Sequence, residues 1–115
     1  MKLFNKNTDI DLIFIAEIGV NHECSVKLAK KMIADAKKGG AHAIKLQAYK
    51  AETIASKTSP AYWDTKKEST KSQFNLFKKY DKFGKKEFVI LHKFCKKIKI
   101  DFLCTPFDFK SAREL

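Results

Sequence analysis

Within residues 11–49 the hydrophobic pattern changes period twice, and that alternation leaves few folds open. "DLIFIAEI" (residues 11–18) is a β-branched-rich apolar run, too short for a stable helix, and reads as a buried strand. Ser25 is placed to cap a helix running to about Ala36. Its Val26, Ala29, Ile33 and Ala36 fall at three- and four-residue steps, with Leu28 and Met32 widening the stripe. Gly39-Gly40 supplies the backbone freedom that a left-handed helix stop requires. "HAIKLQAY" (42–49) then reads as a second strand. Strand, helix, glycine stop and strand in that order make a βαβ unit, which implies parallel pairing and a right-handed crossover.

The rest of the chain continues the rhythm. "KAETIASKTSPAYWDTKKEST" (50–70) is too aromatic for a linker and too polar for the core, and reads as an ordered loop with a short helical turn near its end. Helical residues resume over 71–80, where Phe74, Leu76 and Phe77 give an apolar face, and break at "DKFGKKEF". A further helix is predicted over 86–97, with Phe88, Leu91, Cys95 and Ile98 at 3-4-3 spacing. "IDFLCTPFDF" is a third strand running into a proline turn, and Ser111 reads as the cap of a last helix. All strands are expected to be parallel, with their carboxyl ends on one side. That is the side on which open α/β sheets and β/α barrels bind ligands.

Composition narrows the function classes. The 115 residues are one domain at most, and no run of 18 apolar residues offers a membrane span. Three cysteines (Cys24, Cys95, Cys104) without CxxC spacing suit reduced thiols better than a disulfide or zinc framework. With no signal-peptide pattern at the start, a cytoplasmic protein is expected. The net charge of +11 could serve nucleic acid, an anionic surface or acidic metabolites. All but one of the 24 basic residues are Lys, however, the exception being Arg113. Base readout leans on guanidinium groups, so nucleic acid is disfavoured and a solvated lysine surface is the plain reading.

The polar residues inside the strand-like runs carry the functional argument. Glu17 sits near the end of the first strand. Lys45 and Gln47 sit near the end of the second, two apart and so on one face, while Ile44 and Leu46 take the other. Thr105 follows the third strand. A carboxylate, an ammonium, an amide and a hydroxyl thus converge on one rim. A plain Glu–Lys ion pair is the alternative, although a buried pair of that kind rarely stabilises a fold over apolar residues.

"AEIGVNHECS", "GGAHAIKLQAY", "PAYWDTKKESTKSQFNLFKKYDKFG" and "IDFLCTPFDF" together resemble the start of the sialic acid synthase family, which makes N-acetylneuraminate, legionaminate and pseudaminate. The likeness runs from about Ile13 to the last residue. It implies the first three βα units of a TIM (β/α)8 barrel, parallel and incomplete. It also implies condensation of phosphoenolpyruvate with an N-acylmannosamine-type sugar, with C–O cleavage and a divalent metal, Mn or Mg. By the same resemblance Lys45 holds the phosphate or carboxylate of phosphoenolpyruvate, and Gln47 and Thr105 donate hydrogen bonds to that anion. Glu17 orients the sugar and assists proton transfer, Phe107 walls the pocket, and Asn21 orders the turn or reaches substrate. The family's metal-ligand histidines come from later strands, so His22 is not expected to be a ligand. His42 and His92 carry no functional expectation.

Length is the main departure from the family. A full barrel takes about 250 residues, and this chain holds three strands of eight, without the C-terminal antifreeze-like domain or the metal ligands. The family forms homodimers in which that domain reaches the partner's site. Residues 1–115 are therefore expected to be a truncated barrel portion, inactive alone. A small non-catalytic anion-binding module and one half of a split synthase are the alternatives. Locally, Cys24 and Lys99 stand where the family usually carries Gly, and Cys104 where it usually carries Ser. A left-handed position costs a non-glycine residue about 1 kcal/mol.

Overall fold

The computed structural model describes residues 2–115 and contains a three-stranded sheet backed by helices. A short hairpin, β1 (Lys2–Leu3) and β2 (Lys6–Asn7), comes first and is antiparallel. It corrects the expectation that every strand would be parallel. Phe4 and Asn5 turn it with positive φ, and nothing in the hydrophobic pattern of so short a hairpin announces it.

The main sheet has the order β3 (Ile15–Gly19), β4 (Ala43–Ala48), β5 (Asp101–Pro106), parallel throughout and in chain order. β3 starts later than the apolar run suggests. Residues 11–14 are outside the ladder, although the Phe14 carbonyl accepts from His42 N–H at 2.8 Å and Phe14 N–H donates to His42 Nδ1 at 2.9 Å. β3 carries a bulge between Glu17 and Gly19. Gly19 closes it at φ +57, a conformation glycine adopts without a Cβ penalty.

The helix α1 (Val26–Lys38) begins as its sequence indicates, with Ser25 Oγ accepting from Leu28 N–H at 3.2 Å. At its end the left-handed residue is Gly40, at φ +86, while Gly39 is ordinary at −73. After β4 comes α2 (Ala51–Ile54), so the long connection is helical at its start as well as turning once at 64–68. Residues 60–72 form an Ω-shaped loop closed by a Pro60–Ser72 bridge. Trp63 Nε1–H pins it by donating to the Glu68 and Thr70 carbonyls at 3.2 and 3.1 Å. The helix α3 (Gln73–Tyr80) is capped by Ser72, and α4 (Lys85–Ile98) opens with Glu87 Oε2 accepting from Gly84 N–H at 3.0 Å. The last helix, α5 (Phe109–Glu114), is capped by Asp108. Ser111, expected as the cap, is the residue whose N–H Asp108 Oδ1 receives, at 2.7 Å.

The apolar stripes of α1 and α4 cover one face of the sheet. Ala29, Ile33, Leu91 and Cys95 meet Ile44 and Leu46 with no exposed surface. Full burial of one such aliphatic side chain contributes about 1.5–3 kcal/mol. Both positions where this sequence departs from the glycine of the family it resembles are left-handed: Cys24 at φ 59, beside Glu23 at 49, and Lys99 at 58 ending α4. Lys99 closes the helix as a glycine would. The Ile100 amide returns to the Cys95 carbonyl at 3.1 Å, and the Lys99 carbonyl accepts from Lys37 Nζ at 2.7 Å.

Candidate functional site

Among the described residues no helix backs the other face of the sheet, and the polar residues picked out in the sequence project from it. Register explains their meeting. Glu17 is directly opposite Lys45, and Gln47 directly opposite Thr105 one pleat further along. Lys45 Nζ lies 2.7 Å from Glu17 Oε2. The two side chains are 40% and 45% exposed, so the pair is open to solvent rather than buried, contrary to the cost foreseen for a carboxylate in an apolar strand. At that exposure the ion pair contributes at most about 1 kcal/mol to the fold. Neither the Gln47 amide nor the Thr105 hydroxyl has a hydrogen-bond partner among the described residues. The rim therefore offers an ammonium, an amide and a hydroxyl that no fold contact uses fully.

Phe107 stands just past β5. Its amide donates to the Ala48 carbonyl at 2.9 Å, and its half-exposed ring meets the Tyr49 ring edge-on at 6.4 Å between centroids. Asn21 is in the turn after β3. Its amide bonds the Ile18 carbonyl at 3.1 Å, its side chain is exposed, and among the described residues no hydrogen bond ties it to the Glu17–Lys45 pair. Cys104 points to the helix-backed face. Burial, helped by the Glu17 charge, pushes its thiol up to about 12, which removes it as a nucleophile at neutral pH.

Three side chains that frame the rim were not anticipated. Asp81 and Asp108, from separate elements, hold successive amides at the exit of β4. Asp108 Oδ2 accepts from Lys50 N–H at 3.3 Å and Thr53 Oγ1–H at 3.3 Å, while Asp81 Oδ2 accepts from Ala51 N–H at 3.1 Å. Lys50 Nζ returns to the Asp81 carbonyl at 2.5 Å and the Phe83 carbonyl at 3.3 Å. The signal for Asp108 was legible, since Asp caps helices as well as Ser does. No local signal marks Asp81, whose partner is 30 residues away. The third is His22, which is 1% exposed and stacked on Phe83 at 4.1 Å. Its Nδ1 accepts from Cys24 N–H at 3.1 Å, and its Nε2 has no partner among the described residues. A buried donor left so costs about 1–3 kcal/mol.

Among the described residues no group of three or more His, Cys, Asp or Glu side chains is placed to hold a metal ion. Glu17 is already paired with Lys45, so the donor set does not fit a divalent cation and no chemistry is routed through one. No helix among the described residues is long and apolar enough to cross a membrane.

Known proteins share the fold and much of the sequence. The chain is 41% identical over 104 residues to N,N'-diacetyllegionaminic acid synthase of Campylobacter jejuni, covering 87% of this chain and 30% of that one. It is 36% identical over 110 residues to N-acetylneuraminate-9-phosphate synthase of Drosophila melanogaster, covering 92% and 29%. The crystal structure of N-acetylneuraminic acid (sialic acid) synthetase from Leptospira borgpetersenii serovar Hardjo-bovis, in complex with citrate, superposes with a TM-score of 0.73 at 38% identity. That match covers 90% of this chain and 32% of that one. The chain thus spans about 30% of the length of the curated relatives it matches. A family model matches residues 32–115, from within α1 to the last residue, and with it the partial parallel β/α barrel takes its place: the chain belongs to the NeuB family.

Proposed function

We propose that this chain carries the enolpyruvate-binding rim of a nonulosonic acid synthase, a phosphoenolpyruvate-dependent C–C bond-forming transferase. The observation that supports it is the in-register meeting of Glu17 with Lys45 and of Gln47 with Thr105 on the one sheet face that no helix covers. Lys45, a compact cation, receives the phosphate or carboxylate of phosphoenolpyruvate. Gln47 and Thr105 add hydrogen bonds to the same anion in a preorganised site. Glu17, drawn away from Lys45 when the anion arrives, turns to the N-acylmannosamine-type sugar and serves proton transfer. Phe107 closes one wall, and Asn21 meets substrate from the turn. Because it spans about 30% of the length of the synthases it resembles, this chain by itself is proposed to bind the enolpyruvate without turning it over. Manganese or magnesium, homodimer formation and the sugar end of the site belong to whatever completes the barrel. That completed enzyme is read as cytoplasmic.

Calorimetric titration with phosphoenolpyruvate tests the reading, paired with an assay for released phosphate in the presence of N-acetylmannosamine and Mn2+. Expected are saturable binding that Lys45→Ala weakens at least about tenfold, roughly the loss of one charge-assisted hydrogen bond, and no phosphate release. Absence of binding, or binding indifferent to Lys45→Ala, overturns the enolpyruvate rim. Phosphate release matched by sugar-acid formation overturns the claim that this chain alone does not catalyse. Binding that survives Glu17→Gln with no partner polypeptide restoring turnover favours the plain anion-binding module over a half of a split synthase.

A further inference from the structure

Among the described residues the one buried side-chain N or O atom without a hydrogen-bond partner is His22 Nε2. The ring cannot relieve this by flipping. It is stacked on Phe83 with 11° between the planes, and its Nδ1 is occupied as an acceptor by the Cys24 amide. An acceptor nitrogen carries no proton, so the proton of the neutral ring is on Nε2. Burial lowers the pKa of the ring and keeps it neutral. His22 is thus a fixed N–H donor with a known direction and nothing to donate to.

His22 lines a narrow crevice together with Gln47, Tyr49, Tyr80, Asp81, Phe83 and Phe88, with no room in it for a water molecule. The missing acceptor therefore has to come from a lining side chain that can turn. Asp81 already spends Oδ2 on the Ala51 amide, with Lys78 Nζ at 3.4 Å. The phenol of Tyr49 belongs to a ring wedged between Phe77 and Phe107. Gln47 is different. Its amide has no hydrogen bond among the described residues, and its end is held only by packing beside Gly19, where a Cβ would lie 3.7 Å from its Nε2.

We propose that His22 is a positioning residue for Gln47: its Nε2–H donates to Gln47 Oε1 and so turns the amide NH2 toward the open face that Lys45 occupies. The chemistry gives this contact a purpose. A free glutamine presents its oxygen to an anion as readily as its nitrogen, and the first arrangement repels. Fixing the oxygen on a neutral N–H leaves only the donor end outward. The contact itself stands without any ligand. Its use in anion binding rests on the enolpyruvate reading above.

The test uses the intact chain and follows the His22 imidazole by long-range ¹H–¹⁵N correlation through a pH titration. In Gln47→Glu a carboxylate replaces the amide at the acceptor, and the His22 midpoint is expected to rise by about one to three pH units. In Gln47→Leu the Nε2 resonance moves and the midpoint does not rise. A midpoint unmoved in Gln47→Glu overturns the contact. Because Gln47 is half-exposed on the sheet face, both variants are expected to fold. Phosphoenolpyruvate then separates the two ideas. His22→Asn, which keeps an acceptor for the Cys24 amide, is expected to weaken binding about tenfold. Wild-type binding that His22→Asn leaves unchanged overturns the positioning role while the enolpyruvate rim stands. No wild-type binding, with the midpoint raised in Gln47→Glu, overturns the rim and leaves the contact in place.

Discussion

The two faces of one three-stranded sheet differ in kind. On the face under α1 and α4 the strands present Ile44, Leu46 and Ala48, all buried, to helix residues that are buried in turn. On the opposite face the same strands present Glu17, Lys45, Gln47 and Thr105, all with solvent access, with Glu17 and Lys45 in an ion pair. The backbone is shared, so alternation along a strand is enough to give one side an apolar face for packing and the other a polar face open to solvent. Side chains on the first face should be costly to change and those on the second cheap, except in binding.

The largest effect expected is from Leu91→Ala, which empties a site with no exposed surface. A loss of about 2–5 kcal/mol in urea unfolding is anticipated, and a loss below about 1 kcal/mol would break the comparison. Asp108→Ala, at the seam between the faces, removes the α5 cap together with the bonds to Lys50 and Thr53. It should cost about 1–2 kcal/mol by the same measurement. Lys99→Gly should work in the other direction, gaining about 1 kcal/mol by relieving a left-handed residue on the helix-backed side. Lys45→Met is expected to move unfolding by no more than about 1 kcal/mol while removing phosphoenolpyruvate binding, which sharpens the division of labour.

The smallest effect concerns the loop beyond the sheet. The Thr70 hydroxyl, then Lys79, hold the Glu68 carboxyl at about 2, below its ordinary 4.5. A depressed folded value gives support that is whole above about pH 4.5 and lost as pH falls through about 2. Trp63 fluorescence should report loosening of residues 60–72 over that window, since its indole donates to the Glu68 carbonyl. Glu68→Gln should abolish the pH dependence.

Periodicity made the helix-backed face legible, because burial on one side of a helix or strand writes a repeat into the chain. Val26, Ala29, Ile33 and Phe88, Leu91, Cys95 lie where their spacing puts them. The meeting of Glu17 with Lys45 was also legible, from strand parity and parallel pairing. What escaped depends on contacts between distant residues. The bond from Ala51 to Asp81 spans 30 positions, and the stacking of His22 on Phe83 joins a turn to a loop that no local rule connects. The openness of the ion pair escaped for a different reason. Apolar neighbours in the sequence suggested burial, but Ile18 and Ile44 face the helices, leaving the charges to solvent. The α5 cap went to Asp108 because two adequate caps stood three residues apart, and only the path of the chain out of β5 decides between them.

The buried cluster draws every fully enclosed member from the stretch between Ile18 and Ile100. Every fully enclosed residue of that cluster is therefore synthesised before Thr105, the last of the four rim residues. Vectorial synthesis delivers the helix-backed layer first and completes the polar rim last.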